Sequence, residues 1–497
     1  MTPAVTRVET SRITGALAHA GLLAEVRGEL PTHIEAITDD SRAVQGGSLF
    51  IAVRGTTRDG HEFLPAAERA GASVAIVEDA SRTTLPAIVV HNGRRGAAVA
   101  AAAFFGDPAA GMRLIAVTGT NGKTTTVGML RHLFDAPDGR SASIGTLGVL
   151  VGSDGAAIDG GDGLTTPGPV ELQRVLRVLA DAGVRTVAME VSSHSLHQRR
   201  VEGLAFSAAV FTNLTRDHLD YHGTMEAYFE AKASLVSYLT ADGAVVANAD
   251  DTAWAALPRA PRQVTFGTLP MADVRADRVT FAPRGSEWTL ATPVGSALVH
   301  LPLIGDFNVT NAVGAAAAAY ALGLDTAAIA SRLSRMPQVP GRLEIIGDRP
   351  TVLRDYAHTP DALERALKAL RPFTPGELIV VFGAGGDRDR GKRPLMGEIA
   401  RANADRLIVT SDNPRTEDPE RILDDIVAPL PAGSYLRIED RQTAIARALA
   451  LADPARDVVL LAGKGHETYQ IRGTVKLHFD EREIVTALLG DRTGAGT

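Results

Sequence analysis

A glycine loop between a strand and a helix is the clearest chemical signal in the sequence. The segment LIAVTGTNGKTTT, residues 114–126, joins an apolar run to a predicted helix. In such loops backbone N–H groups and the helix N-terminus bind phosphates, a lysine such as Lys123 offsets the phosphate charge, and a hydroxyl such as that of Thr124 binds Mg2+. Val117 stands where the GxxxxGK[ST] loop has its first glycine, so the match is to a shorter GxxGKT form. An ordinary glycine turn is the alternative.

Carboxylates and histidines follow two further predicted strands. Glu190 ends the strand TVAMEV, where an acid beside a phosphate loop is positioned to bind Mg2+. The segment FTNLTRDHLDYHG places four ligand-type side chains close together: Asp217, His218, Asp220 and His222. A capped helix start with surface histidines is one alternative. A zinc site is another, but it is weak because Leu219 stands where HExxH has its general-base glutamate.

Alternating strands and helices must position these side chains. Apolar strands near residues 114–118, 186–191, 208–213 and 243–248 are separated by helical stretches such as 170–183. This alternation predicts a parallel sheet with both faces covered. Short β-branched runs before residue 93 predict a small α/β domain.

Three later segments are strands that end in glycine-rich or polar loops. They are ELIVVFGAGG, DRLIVTSDNPR and DVVLLAGKGHE. Open parallel sheets bind ligands at such loops. A Gly/Pro/Ala cluster near residue 111 and two prolines near residue 338 mark domain boundaries. The sequence therefore predicts three α/β domains, at 1–111, 112–338 and 339–497.

Composition excludes several classes of function. The chain has 497 residues, with 51 Lys and Arg against 58 Asp and Glu, a net charge of −7. No overall positive field favours nucleic acid or an anionic membrane, and no apolar run is long enough for a membrane helix. The absence of cysteine excludes disulfides and a cysteine nucleophile. We predict a cytoplasmic monomer that binds small molecules and neither nucleic acid nor membrane.

Nine motifs occur in order along the chain. They are GTNGKTTT, MEVSSH, NLTRDHLDYHG with AYFEAKASL, GDFNVTNA, GRLE, DYAHTPDAL, FGAGGDRDRGKRP, DNPR and GKGHE. Together they closely resemble the Mur ligase family, and most nearly its diaminopimelate-adding members. The resemblance implies a small N-terminal α/β UDP-binding domain, a central P-loop-type ATPase domain with a parallel sheet, and a C-terminal Rossmann-like domain for the incoming amino acid.

The resemblance also implies roles for residues at the ATP site. The phosphate loop would be Gly119, Thr120, Asn121, Gly122, Lys123, Thr124 and Thr125, with further nucleotide contacts from Asn311, Arg342, Asp355 and His358. Mg2+ would bind Thr124, Glu190, His218 and Lys232, the lysine as a carbamate formed with CO2 (N6-carboxylysine). The catalytic set would be Lys123, Glu190, His218 and Lys232. Without the motif context, an exposed helical lysine is the favoured interpretation of Lys232.

Two further sites are implied for the substrates to be joined. The UDP-sugar peptide would bind Ser41, Thr56, Thr57, Arg58, Thr165, Thr166, Ser192, Gln198 and Arg200. For the loop at residues 55–60 an ordinary surface turn is an equal alternative. Diaminopimelate would bind Arg388, Asp412, Asn413, Pro414, Arg415, Gly463 and Glu467. Arg415 suits its distal carboxylate and Glu467 its ammonium. Read without the family, DNPR would be a turn.

The implied reaction is ATP-dependent amide formation. The γ-carboxylate of D-glutamate in UDP-N-acetylmuramoyl-L-Ala-D-Glu would be phosphorylated to an acyl phosphate, and the amine of diaminopimelate would displace phosphate. A lysine-adding relative is one alternative. A folylpolyglutamate-like ligase is another, but the segments TDDSR (residues 38–42) and DNPR argue against it. The third is a non-catalytic ATP-binding regulator or a motor-type NTPase, whose ATP turnover would not depend on these small molecules.

Overall fold

The chain forms two compact units. The computed structural model describes residues 7–55, 58–161 and 163–494. The first unit contains the described residues up to Asp277, with Thr289–Leu298 and Thr310–Leu333. The second contains Arg278–Trp288, Val299–Val309 and the described residues from Ser334 onward.

A five-stranded sheet begins the first unit. Its region contains strands β1 (Val8–Glu9), β2 (Leu23–Arg27), β3 (His33–Ile34), β4 (Ala36–Thr38), β5 (Ser48–Ile51), β6 (Ala72–Val77) and β7 (Ala87–Val90), and helices α1 (Thr10–His19), α2 (Leu64–Arg69) and α3 (Gly93–Phe105). The strand order is β2-β7-β6-β5-β4, parallel except for β2. Alanines of α3 pack with apolar residues of α1 and of the sheet in one core. The small α/β fold predicted for this region is confirmed.

A larger sheet follows. Its elements are β8 (Arg113–Thr118), α4 (Lys123–Phe134), β9 (Arg140–Gly145), β10 (Gly148–Val151), β11 (Ala156–Ile158), α5 (Pro169–Asp181), β12 (Val184–Glu190), α6 (Ser193–His197), β13 (Phe206–Phe211), α7 (Leu219–His222), α8 (Met225–Ala233), β14 (Leu239–Asn248), β15 (Arg262–Gly267), β16 (Val274–Ala282), β17 (Gly285–Thr292), β18 (Gly295–Leu301), α9 (Asp306–Ala321) and α10 (Thr326–Leu333). The boundary between the two units passes through β16, β17, β18 and α9.

The predicted parallel sheet is confirmed, and two antiparallel strands that were not predicted extend it at one edge. Within the first unit the order is β11-β10-β9-β12-β8-β13-β14-β15-β16. The strands β9, β12, β8, β13, β14 and β15, which are consecutive in this order, are parallel to one another. Strands β10 and β11 are antiparallel to their neighbours. Only two residues separate β9 from β10. So short a turn reverses the chain and cannot make the crossover that a parallel pair needs.

The second unit contains a six-stranded sheet. Its elements are β19 (Glu344–Asp348), β20 (Thr351–Asp355), α11 (Pro360–Leu370), β21 (Leu378–Phe382), α12 (Lys392–Asn403), β22 (Arg406–Val409), α13 (Pro419–Val427), β23 (Leu436–Arg437), α14 (Arg441–Leu451), β24 (Val458–Ala462), β25 (Tyr469–Arg472), β26 (Val475–His478) and α15 (Glu481–Gly494). The order is β19-β20-β24-β21-β22-β23, and β25 pairs with β26 as a separate hairpin. The predicted strands β21, β22 and β24 are neighbours and parallel, so their carboxyl ends meet at one edge.

No helix among the described residues has both the length and the apolar character needed to cross a membrane.

Candidate active site

The predicted phosphate loop connects β8 to α4 at the carboxyl edge of the central sheet. Gly119 and Gly122 have φ angles of 147° and 85°, a region that favours glycine. A Cβ atom on Gly119 would lie 1.9 Å from Thr212 Oγ1, and one on Gly122 would lie 2.3 Å from Asn311 Oδ1. Both positions therefore require glycine, for backbone conformation and for space.

The end of β13 supports this loop. Asn213 accepts hydrogen bonds from the loop at two atoms: its carbonyl oxygen from Thr120 N at 2.7 Å, and its Oδ1 from Asn121 N at 2.9 Å. Thr212 Oγ1 donates to Asn121 O at 2.6 Å. The sequence analysis did not assign these roles. The signal was present, because NLTRDH begins directly where the strand ends.

Two lysines converge on one carbonyl of the loop. Lys123 Nζ donates to Gly119 O at 2.9 Å and to Thr120 O at 2.8 Å. Lys232 Nζ donates to the same Gly119 O at 2.8 Å and lies 4.5 Å from the ring centroid of Tyr228. Only 1% of Lys232 is exposed, so the alternative of an exposed helical lysine is wrong. Burial, and then the charge of Lys123, places the pKa of Lys232 well below its usual value.

Glu190 lies at the end of β12, beside β8 in the sheet. It pairs in register with Val117, and its side chain is buried. Thr146 binds both carboxylate oxygens: its N–H donates to Oε1 at 2.8 Å and its Oγ1 donates to Oε2 at 3.2 Å. The hydroxyls of Thr146 and Thr165 are 3.4 Å apart. Thr146 thus fixes the carboxylate next to the predicted peptide site, a role the sequence analysis missed.

His218 immediately precedes α7 and has a φ of 53°, in the left-handed region that few non-glycine residues occupy. Burial lowers its pKa, and the charges of Lys123 and Lys232 act in the same direction. Its ring centroid is 4.7 Å from that of His194, whose pKa is lowered to about 4 by burial and by neighbouring histidines. Among residues 7–55, 58–161 and 163–494, no three His, Cys, Asp or Glu side chains have the spacing of a metal site.

The structure brings together most of the predicted sugar-peptide residues. Thr166 Oγ1 donates to Glu190 O at 2.9 Å and accepts from Ser192 N at 3.1 Å. Arg200 donates to Thr166 O at 2.7 Å and to Gln198 Oε1 at 2.8 Å. These bonds connect this cluster to the strand that ends in the metal-site candidate Glu190.

The predicted UDP residues lie in the first sheet's region. Ser41 begins a 3-10 turn that is capped by Asp40, whose carboxylate accepts from Arg42 N at 2.9 Å. Arg58 is exposed, and its carbonyl oxygen accepts from Gly55 N at 2.9 Å. Thr56 and Thr57 lie outside the described residues. In the peptide cluster, burial lowers the pKa of Arg200.

In the second unit, the end of β20 carries the predicted nucleotide residues. Asp355 accepts hydrogen bonds from Leu343 N at 2.7 Å and Ala357 N at 2.8 Å, and burial raises its pKa. The guanidinium of Arg342 lies 4.9 Å from the ring centroid of Tyr356. His358 Nδ1 lies 2.8 Å from Tyr356 O, and burial lowers the pKa of His358. Asn311, the other predicted contact, belongs to the first unit and packs against Gly122.

The acceptor motifs meet at the ends of β22 and β24. Asn413 Nδ2 donates to Glu467 Oε2 at 2.8 Å. Between them lies Lys464, whose Nζ donates to Asn413 Oδ1 at 3.2 Å and to Glu467 Oε2 at 3.1 Å, and is 3.6 Å from Asp412 Oδ1. Lys464 belongs to the GKGHE motif, but no role was predicted for it from the sequence.

The remaining acceptor residues surround this cluster. Arg415 has a φ of 51°, donates from its guanidinium to Gly386 O at 2.8 Å, and its N–H donates to Ile471 O of β25 at 3.1 Å. Gly463 N donates to Asp355 O at 3.0 Å, which connects the acceptor loop to the nucleotide residues of this unit. Pro414 O lies close to the backbone of Gly386. Arg388 is exposed, and its guanidinium makes a long bond, 3.4 Å, to the carbonyl of Asp387.

Three family models match the chain in succession. They are the Mur ligase family catalytic domain at residues 33–110, the Mur ligase middle domain at 117–319, and the Mur ligase glutamate ligase domain at 341–465. The chain belongs to the Mur ligase family. As a member of that family it is an ATP-dependent amide ligase built from three domains, as expected from the sequence. The domain limits near residues 111 and 338 stay predictions.

Individual relatives of this Mur ligase are similar over nearly its whole length. A protein of Synechococcus elongatus named UDP-N-acetylmuramoyl-L-alanyl-D-glutamate--2,6-diaminopimelate ligase is 48% identical, covering 93% of this chain and 95% of the relative. A Gloeobacter violaceus protein of the same name is 46% identical, covering 98% and 99%. A solved structure of an enzyme with that name is 34% identical and covers 99% of this chain and 100% of its own, with a TM-score of 0.68.

Proposed function

We propose that this Mur ligase joins diaminopimelate to the γ-carboxylate of D-glutamate in UDP-N-acetylmuramoyl-L-Ala-D-Glu, using ATP, in peptidoglycan precursor synthesis. The observation that carries the proposal is the similarity, across at least 93% of the chain, to relatives named for this reaction. The arrangement of the acceptor motifs supports it, because a cation, Arg415, and two acids, Asp412 and Glu467, lie in the loops that follow the neighbouring strands β22 and β24.

For ATP we propose that the loop Gly119–Thr125 binds the phosphates and that Asn311 contacts the adenine. Arg342, Asp355 and His358 are proposed as further nucleotide contacts. Lys123 donates to two carbonyls of its own loop. Phosphate oxygens would replace these carbonyls as its partners, because a charged acceptor forms the stronger bond. Positioned there, Lys123 offsets the repulsion between the attacking carboxylate and the γ-phosphate.

The donor set fits Mg2+ on chemical grounds. Thr124 contributes a hydroxyl at the start of α4, and the buried Glu190 contributes a carboxylate held by Thr146. Mg2+ prefers such oxygen ligands, and when bound it would neutralise charge on the transferring phosphoryl group. His218 would complete the set. Lys232 fits only if its charge is removed, because an ammonium repels a cation.

We propose that Lys232 is carbamylated. Burial and the charge of Lys123 lower its pKa, which favours the neutral amine, the form that reacts with CO2. The new N–C bond would release one proton and present carboxylate-like oxygens in place of the ammonium. Carbamylation would place a negative charge next to the ammonium of Lys123, because both side chains lie at Gly119 O.

The proposed reaction has two steps. An oxygen of the γ-carboxylate attacks the γ-phosphorus, the bond to the bridging oxygen of ADP breaks, and an acyl phosphate forms. The neutral amine of diaminopimelate attacks the acyl carbon, phosphate leaves, and the nitrogen loses a proton. We assign no side chain as the base for that proton. Thr165, Thr166, Ser192, Gln198 and Arg200 would hold the peptide near Glu190, with the UDP end on Ser41, Thr56, Thr57 and Arg58.

Acceptor choice would depend on Arg415. Its planar guanidinium suits the distal carboxylate of diaminopimelate, and Glu467 suits the ammonium beside it. Lysine lacks that carboxylate and would leave the guanidinium unsatisfied. Arg388, Asp412, Asn413, Pro414 and Gly463 would complete the pocket. We further propose the cytoplasmic location and monomeric state expected from the sequence.

The deciding experiment measures phosphate release by purified protein with Mg-ATP and UDP-N-acetylmuramoyl-L-Ala-D-Glu. Diaminopimelate and lysine are offered in parallel, and the product mass is determined. A tripeptide product with diaminopimelate alone is expected. Product with lysine instead would contradict the role of Arg415, and folded protein without substrate-dependent turnover would favour another ligase of the superfamily.

A further inference from the structure

Lys464 is a buried cation that no step of the proposed reaction uses. It is 0% exposed and lies between Gly463 and the turn that leads to Glu467. Its Nζ contacts Glu467 Oε2, Asn413 Oδ1 and, at 3.6 Å, Asp412 Oδ1. An ammonium is costly to bury unless carboxylates compensate its charge. Here both compensating acids belong to the acceptor motifs.

Lys464 fixes how the amide of Asn413 is turned. Asn413 Oδ1 accepts from Lys464 Nζ at 3.2 Å and from Ile471 N at 2.9 Å, while its Nδ2 donates to Glu467 Oε2 at 2.8 Å. The reversed amide would direct N–H groups at an ammonium and at a backbone N–H. One orientation of Asn413 is therefore enforced, and with it the position of Glu467.

Lys464 also sets the charge of the acceptor loop. Asp412 and Glu467 together carry two negative charges, and one buried ammonium reduces their sum to one. The distal end of diaminopimelate is a zwitterion, so an ammonium and a carboxylate must both be accommodated. Without Lys464, two uncompensated acids would attract the ammonium but repel the carboxylate next to it.

We infer that Lys464 is a positioning residue for acceptor selection: it orients Asn413 and Glu467 and reduces the negative charge of the loop, so that a zwitterionic end is bound in preference to a bare ammonium. This inference rests on the proposed function and deepens it. Lys464 acts through its neighbours and takes no part in bond formation.

The test is the variant Lys464→Met, which keeps the length and apolar stem of the side chain and removes the charge. kcat and KM are measured for ATP, for the UDP-sugar peptide and for each acceptor. We expect the KM for diaminopimelate to rise about tenfold or more, while the other two KM values change by less than about twofold. The ratio of kcat/KM for diaminopimelate over lysine should fall, which general structural damage would not produce.

Lys476→Met is the matched control. Lys476 is an exposed lysine of β26, and its Nζ lies 3.6 Å from the ring centroid of Tyr469, the ring that Lys464 also approaches at 5.7 Å. It makes no ion pair with Asp412 or Glu467 among the described residues. We expect wild-type KM values and acceptor ratio for this variant.

A double variant guards against loss of folding. Removing Lys464 alone leaves two buried acids without their cation, which can be strongly destabilising. Lys464→Met combined with Glu467→Gln removes one charge of each sign. If Lys464 acts through Glu467, the KM for diaminopimelate in the double variant should be no higher than in Glu467→Gln alone, so the two effects are not additive.

The outcomes separate the two hypotheses. Wild-type protein that does not use diaminopimelate refutes the proposed function before any variant is made, and the inference with it. Wild-type activity with an unchanged acceptor ratio in Lys464→Met, or with equal increases in all KM values, overturns the inference alone. Failure of both Lys464 variants to fold would assign the lysine to stability and also overturn it.

Discussion

Two lysines of this chain are equally buried and have opposite surroundings. Lys232, at the phosphate loop of the first unit, is 1% exposed, and Lys464, at the acceptor loop of the second, is 0% exposed. The ammonium of Lys464 contacts two carboxylates. Among the described parts of the chain, no carboxylate lies within ion-pair distance of Lys232, whose Nζ donates to the backbone oxygen of Gly119.

The difference shows that burial alone does not decide what a lysine does. The neighbours of each lysine differ. Next to Lys232 lies a second cation, Lys123, and burial together with this charge lowers the pKa of Lys232. Lys464 instead contacts the carboxylates of Asp412 and Glu467. One environment suits a lysine that is to be modified, and the other suits a lysine that orients its neighbours.

The largest effect is expected from a substitution of Lys123, which donates to the same carbonyl oxygen, Gly119 O, as Lys232. Lys123→Ala removes the cation that is proposed to neutralise the phosphates. It also removes the positive charge that lowers the pKa of Lys232. We expect substrate-dependent phosphate release to fall by at least about a thousandfold, because this charge acts on the transferring group. Phosphate release is measured with saturating substrates, and circular dichroism verifies folding. Turnover near the wild-type rate would refute the role of Lys123.

A smaller loss, about a hundredfold in kcat, is expected for Lys232→Ala, since Mg2+ retains its other proposed ligands. If the lysine acts as a carbamate, formate or acetate should restore part of the activity by supplying a carboxylate in the vacated space.

Lys464→Met is the control for that rescue. It also removes a buried lysine, but the missing group there is a cation, so carboxylic acids should not restore its activity. Rescue of both variants, or of neither while Lys232→Ala remains folded and binds ATP, would contradict the contrast between the two lysines.

The phosphate loop and Lys123 were predicted from the sequence, but the burial of Lys232 was not. Strand, glycine loop and Lys123 are adjacent in the chain, so their geometry follows from local rules for apolar runs and glycine turns. The burial of Lys232 depends on Gly119, 113 residues away, and on the ring of Tyr228. Contacts at that separation leave no periodic signal in one sequence.

The same limit explains why the role of Thr146 was missed, and a different reason applies to the edge strands β10 and β11. Thr146, which fixes Glu190, is 44 residues distant from it and belongs to no quoted motif. The antiparallel edge strands β10 and β11 were missed because strand direction depends on the connecting turn, which apolar patterning does not describe. Lys464 differs: its motif was recognised, and only its partners were unknown.

Arg415→Lys tests the acceptor side with an intermediate effect. The change keeps the charge and removes the planar fork that suits a carboxylate. We expect kcat/KM for diaminopimelate to fall about tenfold and that for lysine to change less, because lysine has no distal carboxylate to lose. Product formation is measured with each acceptor. An equal decrease for both would indicate that Arg415 serves the backbone of its loop, through Gly386 O, and not the ligand.

The smallest effect is expected for a lysine that is paired but exposed. Lys368 Nζ lies 2.6 Å from Glu364 Oε1 on the surface of α11, a shorter ion pair than either one made by Lys464. Water screens such a pair, so Lys368→Ala should change the free energy of unfolding by less than about 0.5 kcal/mol and leave all KM values unchanged. Urea denaturation measures the first. A change above about 1 kcal/mol would mean that distance alone, and not burial, determines what an ion pair contributes here.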